Sequence, residues 1–117
     1  MGCASTKVAC ERSRRPRRII IIRHGQSQGN VDETIYTRTP DWKVPLTEAG
    51  RDQARQAGEQ LRALLTDDKL YFYTSPYERC QQTLACIIEG RDRTGTVRVE
   101  PRLREQDFGN YQDGGMK

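Results

Sequence analysis

The stretch IIIIRHGQSQGN, Ile19 to Asn30, carries four isoleucines in a row and the only histidine of the 117-residue chain. The isoleucines run straight into Arg23, His24 and Gly25, and Gly29 follows. A short β-branched run that is apolar on both faces reads as a central strand of a parallel sheet. His24 therefore stands at the seam between a buried strand and a polar turn. Such a ring is either a structural side chain or a reacting one, and the rest of the chain has to decide.

Outward from this stretch the punctuation is regular. Residues 31–46 read as an irregular loop with Pro40 and Pro45 near its end. Within it, Tyr36, Arg38 and Trp42 suit a lid, although Trp42 packed beneath the loop fits a segment of this length equally well. Thr47 is placed to cap a helix running to about Leu65, with Ala54, Ala57, Leu61, Leu64 and Leu65 in one apolar stripe. Leu70 to Thr74 (LYFYT) reads as a second buried strand. Ser75-Pro76-Tyr77-Glu78 has the spacing of a capping box, which predicts a helix starting at Ser75. Leu84, Ile87 and Ile88 would face inward, and Gly90 would stop the helix. Val97 to Glu100 reads as a third strand, followed by a loop through Gly109 to Gly115. The alternation predicts an α/β fold: a parallel sheet with helices on both faces, joined by right-handed crossovers.

Charge and composition narrow the functions. Residues 1–18 hold six basic side chains against Glu11 alone, a charge of +5, so residues 19–117 hold 14 basic and 15 acidic ones, or −1. The basic excess sits on an arm and not on the body, which argues against a nucleic-acid-binding surface. The arm, 1–18, is expected to be disordered, with 19–117 as the folded part. Gly2, Cys3 and Thr6 fit an acylation template, and the arginines beside them suit anionic lipid. A transit peptide, a nuclear signal and a plain solvated tail are the other readings of the arm. Apolar residues make up 34% of the chain, so the core must be concentrated in a few segments. Cys3, Cys10, Cys80 and Cys86 form no CxxC pair, so no zinc site is expected. Reduced thiols and the lack of any apolar run near the ~18 residues of a membrane span suggest a cytoplasmic protein, or one on the cytosolic face of a membrane.

In a parallel sheet, ligand sites collect at the carboxyl edge of the strands. Arg23 and His24 leave the first predicted strand there, Arg79 opens the helix after the second, and Glu105 follows the third. Topology thus gathers an imidazole, two guanidiniums and a carboxyl group. Guanidiniums grip phosphate oxygens, and their field disfavours protonation of a nearby imidazole. His24 would then attack phosphorus and form a phosphohistidine, dividing one hard displacement into two easier ones. Arg23, Arg79 and exposed N–H groups at a helix start would hold the charge on the equatorial oxygens. Asn30 could donate its amide to a phosphate oxygen. Glu105, if burial keeps it protonated, would protonate the leaving alcohol and then activate water. The scheme needs no metal and no cofactor.

At these residues the chain resembles a known family. RHGQSQGN resembles the RHG signature of the histidine phosphatase superfamily, also called phosphoglycerate mutase-like. PLTEAGRDQA from Pro45, SPYERCQQTL from Ser75 and LREQDFGNYQ from Leu103 resemble its following blocks in order. The resemblance implies His24 as phosphorylated nucleophile, Arg23, Arg79 and Asn30 as phosphate ligands, Glu105 as proton donor, and a phosphorylated small molecule as substrate. Thr47 and Gly50 match the start of a structural helix. SPYER and REQDFGN are most similar to plant and fungal members of the broad-range acid phosphatase type.

Mutases of the family carry Glu and then Trp where this chain has Gln26 and Gln28, and they differ again at Gly109 to Asp113. Both departures favour a phosphatase over a mutase. Family members are about twice this length and complete the phosphate pocket with a second histidine, which this chain lacks. The expectation is therefore the amino-terminal part of a histidine phosphatase, truncated, with little or no turnover when isolated. The rivals are phosphoglycerate mutase-type transfer and a catalytically dead, membrane-tethered anion-binding protein.

Overall fold

The computed structural model describes residues 16–66 and 69–105. Most of the basic arm, with Gly2 and Cys3, and the segment Gly109 to Gly115 lie outside the described residues. After the His24 turn comes a short helix α1 (Gln28–Val31), then 3-10 turns at Glu33–Thr37 and Asp41–Lys43. Helix α2 (Glu48–Leu64), strand β1 (Tyr71–Thr74), helix α3 (Glu78–Arg91) and strand β2 (Thr96–Val99) follow.

Thr47 caps α2 as its side chain dictates, the hydroxyl accepting from Gly50 N. The inward stripe of α2 meets α3 in a core of Ala54, Leu61, Leu65, Cys86 and Ile87, with Ala57 and Leu70 packed against it. Leu64 departs from the expected stripe and is 64% exposed. Leu65, four residues after Leu61, takes the inward position in the last turn and leaves Leu64 facing out.

The two helices meet through glycine. A Cβ at Gly58 would run into the carbonyl oxygen of Ile87, and one at Gly90 into that of Arg55. Gly90 therefore does not stop α3, as its position in the sequence suggests. It lets the helices touch, while α3 continues to Arg91 and Asp92 turns the chain with a left-handed φ of 56°. Alanine at position 58 would gain roughly 1 kcal/mol of helix propensity, but its methyl meets backbone that no rotamer can move. Gly58→Ala is thus expected to destabilise the fold by about 1–3 kcal/mol net, the cost of overpacking. A urea midpoint equal to or above that of the unmodified chain would show that the helices separate freely.

β1 and β2 pair in parallel, Tyr71 opposite Thr96 and Thr74 opposite Val99. A parallel pair needs a long crossover, and α3 supplies it. The fold is α/β with a parallel sheet and helices, as the sequence predicts. Two details differ. The second strand is not buried throughout, since Tyr71 and Tyr73 are 58% and 62% exposed. Ile19–Ile22 belongs to no strand, and its side chains are 80%, 44%, 92% and 42% exposed. The odd residues stand further out than the even ones, which keeps the two-residue period of a strand. Burial of both faces would require strand partners and covering layers that the described residues do not supply.

The segment 31–46 has a small core of its own, Ile35, Tyr36 and Val44. Gly29 leaves room for the ring of Tyr36. Trp42 is not packed beneath this loop, for it is half exposed with the Lys43 ammonium 4.9 Å from its ring centroid.

Candidate active site

The turn carrying His24 is clamped from two sides. Thr47 N donates to Gln26 O (2.9 Å), and the Thr47 hydroxyl donates to Gln26 Oε1 (2.9 Å). Gly25 lies so close to Gly50 that a Cβ on either would strike the other segment's backbone. On the other side, Gly25 N donates to Thr83 Oγ1 (3.1 Å), and Leu46 N donates to Gln82 Oε1 (2.8 Å). Both acceptors stand on α3. Gly25, the glycine of RHG, is thus wedged between the start of α2 and the second turn of α3.

Past the turn, Ser27 and Asn30 close a reciprocal cap that starts α1. Ser27 N donates to Asn30 Oδ1 (2.9 Å), and Asn30 N donates to Ser27 Oγ (3.2 Å). Sequence reading missed this cap because Asn stands where Glu or Gln usually completes the motif. The amides of Gly25, Gln26, Ser27 and Gln28 all have acceptors within the chain: Thr83, Gln53, Asn30 and Pro45. The expected role of helix-start N–H groups in holding an anion does not extend to these four.

His24 is half buried, and its Nδ1 lies 2.7 Å from Gly25 O. A carbonyl oxygen only accepts, so Nδ1 carries the proton and Nε2 of the neutral ring keeps its lone pair. Arg23 beside it is exposed and makes no ion pair among the described residues. Asn30 has its amide oxygen held by Ser27, which leaves the NH2 group as a donor.

Arg79 is the electrostatic centre. It sits in the first turn of α3, as the sequence predicts, but the helix starts later than the Ser75 capping box implies. Tyr77 is the N-cap without a side-chain cap, and Ser75 Oγ instead accepts from Tyr77 N (3.2 Å). The two-residue delay sets the Tyr77 ring 4.9 Å from the Arg79 guanidinium. Only 2% of Arg79 is exposed. Nη1 donates to Asp41 O (2.7 Å) and Asp41 Oδ1 (3.0 Å), and Nη2 donates to Glu105 Oε2 (2.7 Å). Burial, the largest single influence, opposes the charge on Arg79. Asp41 and Glu105 together outweigh it and hold the guanidinium pKa above its ordinary value.

The two acids differ. Asp41 is buried, whereas the side chain of Glu105 is 56% exposed. The burial expected of Glu105 is therefore absent. One partner of Arg79 is fixed inside the fold, and the other stands where a solute can replace it. Cys80, next in the chain, is no rival nucleophile: burial pushes its thiol pKa up, outweighing the opposing pull of the Ser75 hydrogen bond and the Arg79 charge.

Of the residues expected at one rim, the structure joins Arg79 directly to Glu105 and links the His24 turn to the Arg79 helix through Thr83. Arg23 precedes His24 and Asn30 follows six residues later, and among the described residues neither has a hydrogen bond or ion pair to Arg79 or Glu105. Asp41, Thr83 and Tyr77 escaped the sequence reading. Thr83, four residues after Arg79 on one helix face, was accessible by spacing. Asp41, 38 residues upstream of Arg79, left no local signal.

The chain belongs to the histidine phosphatase superfamily (branch 1), whose family profile matches residues 19–117. It is 50% identical to phosphoglycerate mutase-like protein AT74H of Arabidopsis thaliana, over 87% of this chain and 40% of that protein. It is 26% identical to the broad-range acid phosphatase DET1 of Saccharomyces cerevisiae, over 84% of this chain and 57% of the yeast protein. Among solved structures it is similar to a mycobacterial glucosyl-3-phosphoglycerate phosphatase complexed with VO3, with a TM-score of 0.56 and 32% identity, covering 76% of this chain and 39% of that one. The chain thus spans less than half the length of its plant relative.

Proposed function

We propose that these residues serve phosphomonoester hydrolysis through a phosphohistidine. Nε2 of His24 attacks phosphorus, an N–P bond forms as the P–O bond to the leaving alcohol breaks, and water later cleaves the N–P bond to release phosphate. Arg79, with Arg23 and the Asn30 amide, holds the phosphoryl oxygens. An incoming phosphate takes the place of Glu105 on Nη2 and frees that carboxyl group for proton transfer to the leaving oxygen and from the attacking water. The observation that carries this reading is the buried Arg79, anchored by Asp41 on one side and holding an exposed, replaceable carboxylate on the other. The acid phosphatase and phosphatase relatives support hydrolysis, and the departures expected of Gln26 and Gln28 from the mutase pattern lean the same way.

Vanadate, the ion in the mycobacterial complex, is the direct probe. Trp42 adjoins Asp41, so vanadate arriving at Arg79 is expected to change its fluorescence in a saturable titration that inorganic phosphate competes away. A signal unmoved at millimolar vanadate would remove the anion seat. Product analysis of a protein extended to the length of its relatives separates free phosphate from a transferred phosphoryl group.

A further inference from the structure

Thr83 sits one turn after Arg79 on α3 and is only 5% exposed. Its hydroxyl donates to Arg79 O (2.6 Å) and accepts from Gly25 N (3.1 Å). A threonine within a helix commonly bonds back to the carbonyl four residues earlier. Here the oxygen also accepts from an amide 58 residues away in sequence. The hydroxyl has a single hydrogen, which goes to Arg79 O, so toward Gly25 the oxygen can only accept. Both bonds thus have forced directions, and no apolar side chain reproduces them.

The amide in question belongs to the His24–Gly25 peptide, and the next carbonyl, Gly25 O, receives the Nδ1 proton of His24. Gly25 O lies on the following peptide, whose N–H, Gln26 N, donates to Gln53 Oε1 (3.0 Å), so the two peptides that meet at the Gly25 Cα are each held by one side chain. The oxygen on the arginine helix therefore anchors Gly25, the residue whose carbonyl receives the proton of the only histidine. We propose that Thr83 is a positioning residue: by holding the N–H of Gly25 it keeps the carbonyl of that residue against Nδ1 of His24, so that Nδ1 is protonated and Nε2 is presented. Its catalytic consequence rests on His24 being the phosphate acceptor, whereas the tautomer itself does not. A misplacement of about 1 Å in a reacting group costs on the order of 100-fold in rate.

A single histidine makes the test clean, since a long-range 1H–15N correlation spectrum of the full labelled chain contains one pair of imidazole nitrogens. In the unmodified chain above the imidazole's titration range, the Nδ1–H tautomer should dominate and the Gly25 amide should be protected from hydrogen exchange. Thr83→Val is expected to give a mixture of tautomers, and Thr83→Ser, which keeps the hydroxyl, to restore the parent pattern. Phosphohistidine formation should fall about 100-fold in Thr83→Val, and apparent affinity for the phosphoryl donor should change much less. An Nε2–H tautomer or an unprotected Gly25 amide in the unmodified chain overturns the proposal even if Thr83→Val does not fold. So does an unchanged tautomer in folded Thr83→Val. A tautomer that switches as expected in a chain that never binds vanadate or accepts phosphate would uphold Thr83 and overturn the phosphatase reading.

Discussion

Arg79→Ala is expected to destabilise the chain by about 3–5 kcal/mol, the usual cost of stripping one partner from a buried ion pair. The carboxylate of Asp41 would be left inside the fold, with its main-chain carbonyl also losing a donor. The partner on the other side, Glu105, is largely in water and adds little to this loss. The same substitution should weaken vanadate binding by about 100-fold, because each hydrogen bond to a charged group is worth roughly 1.5–3 kcal/mol. Lysine is a poor replacement, since one ammonium cannot reach both flanks as a planar fork does. Glu105→Gln provides the contrast: stability within about 1 kcal/mol of the parent and tighter vanadate binding, because the charge competing for Nη2 is gone. Urea denaturation and the Trp42 titration read both variants. If Glu105→Gln binds vanadate more weakly than the parent, the carboxylate is not the occupant an anion has to displace.

His24→Ala separates chemistry from folding. The ring is half buried, and its hydrogen bond runs to the adjacent residue, so removing it should cost no more than about 1 kcal/mol. Covalent capture should vanish altogether. Acid-labile, base-stable label from a radioactive phosphoryl donor is expected on the parent chain and absent from the variant, while vanadate still binds through Arg79. Equal labelling of the two proteins would assign the phosphate to another side chain and end the phosphohistidine mechanism. Loss of labelling together with a large fall in the urea midpoint would instead make His24 a structural residue.

The two experiments probe opposite ends of one arrangement. His24 is held only through the backbone of its turn, which Thr47, Gln53 and Thr83 fasten, whereas the Arg79 guanidinium itself is held by Asp41 from a distant loop. Damage at Arg79 spreads into the fold, and damage at His24 stays at the nitrogen. This difference follows from burial: a charge at 2% exposure has no water to fall back on, and a half-exposed ring does.

What could be read from the chain alone was whatever depends on a few consecutive residues. Thr47 capping α2, the inward stripe of Ala54, Leu61 and Leu65, the strand at Tyr71–Thr74 and the place of Arg79 in a first turn all follow from local backbone preference. The RHG stretch and the blocks after it also identified the family. The tertiary structure decided the rest. It moved the start of α3 past Ser75, turned Gly90 from a stop into a point of helix contact, left Ile19–Ile22 outside any strand, and brought Asp41 to Arg79 and Thr83 to Gly25. Each of these joins segments distant in sequence or depends on which layers are present to cover a face. Such contacts are chosen by burial and hydrogen-bond satisfaction across the whole fold, and local spacing carries no record of them.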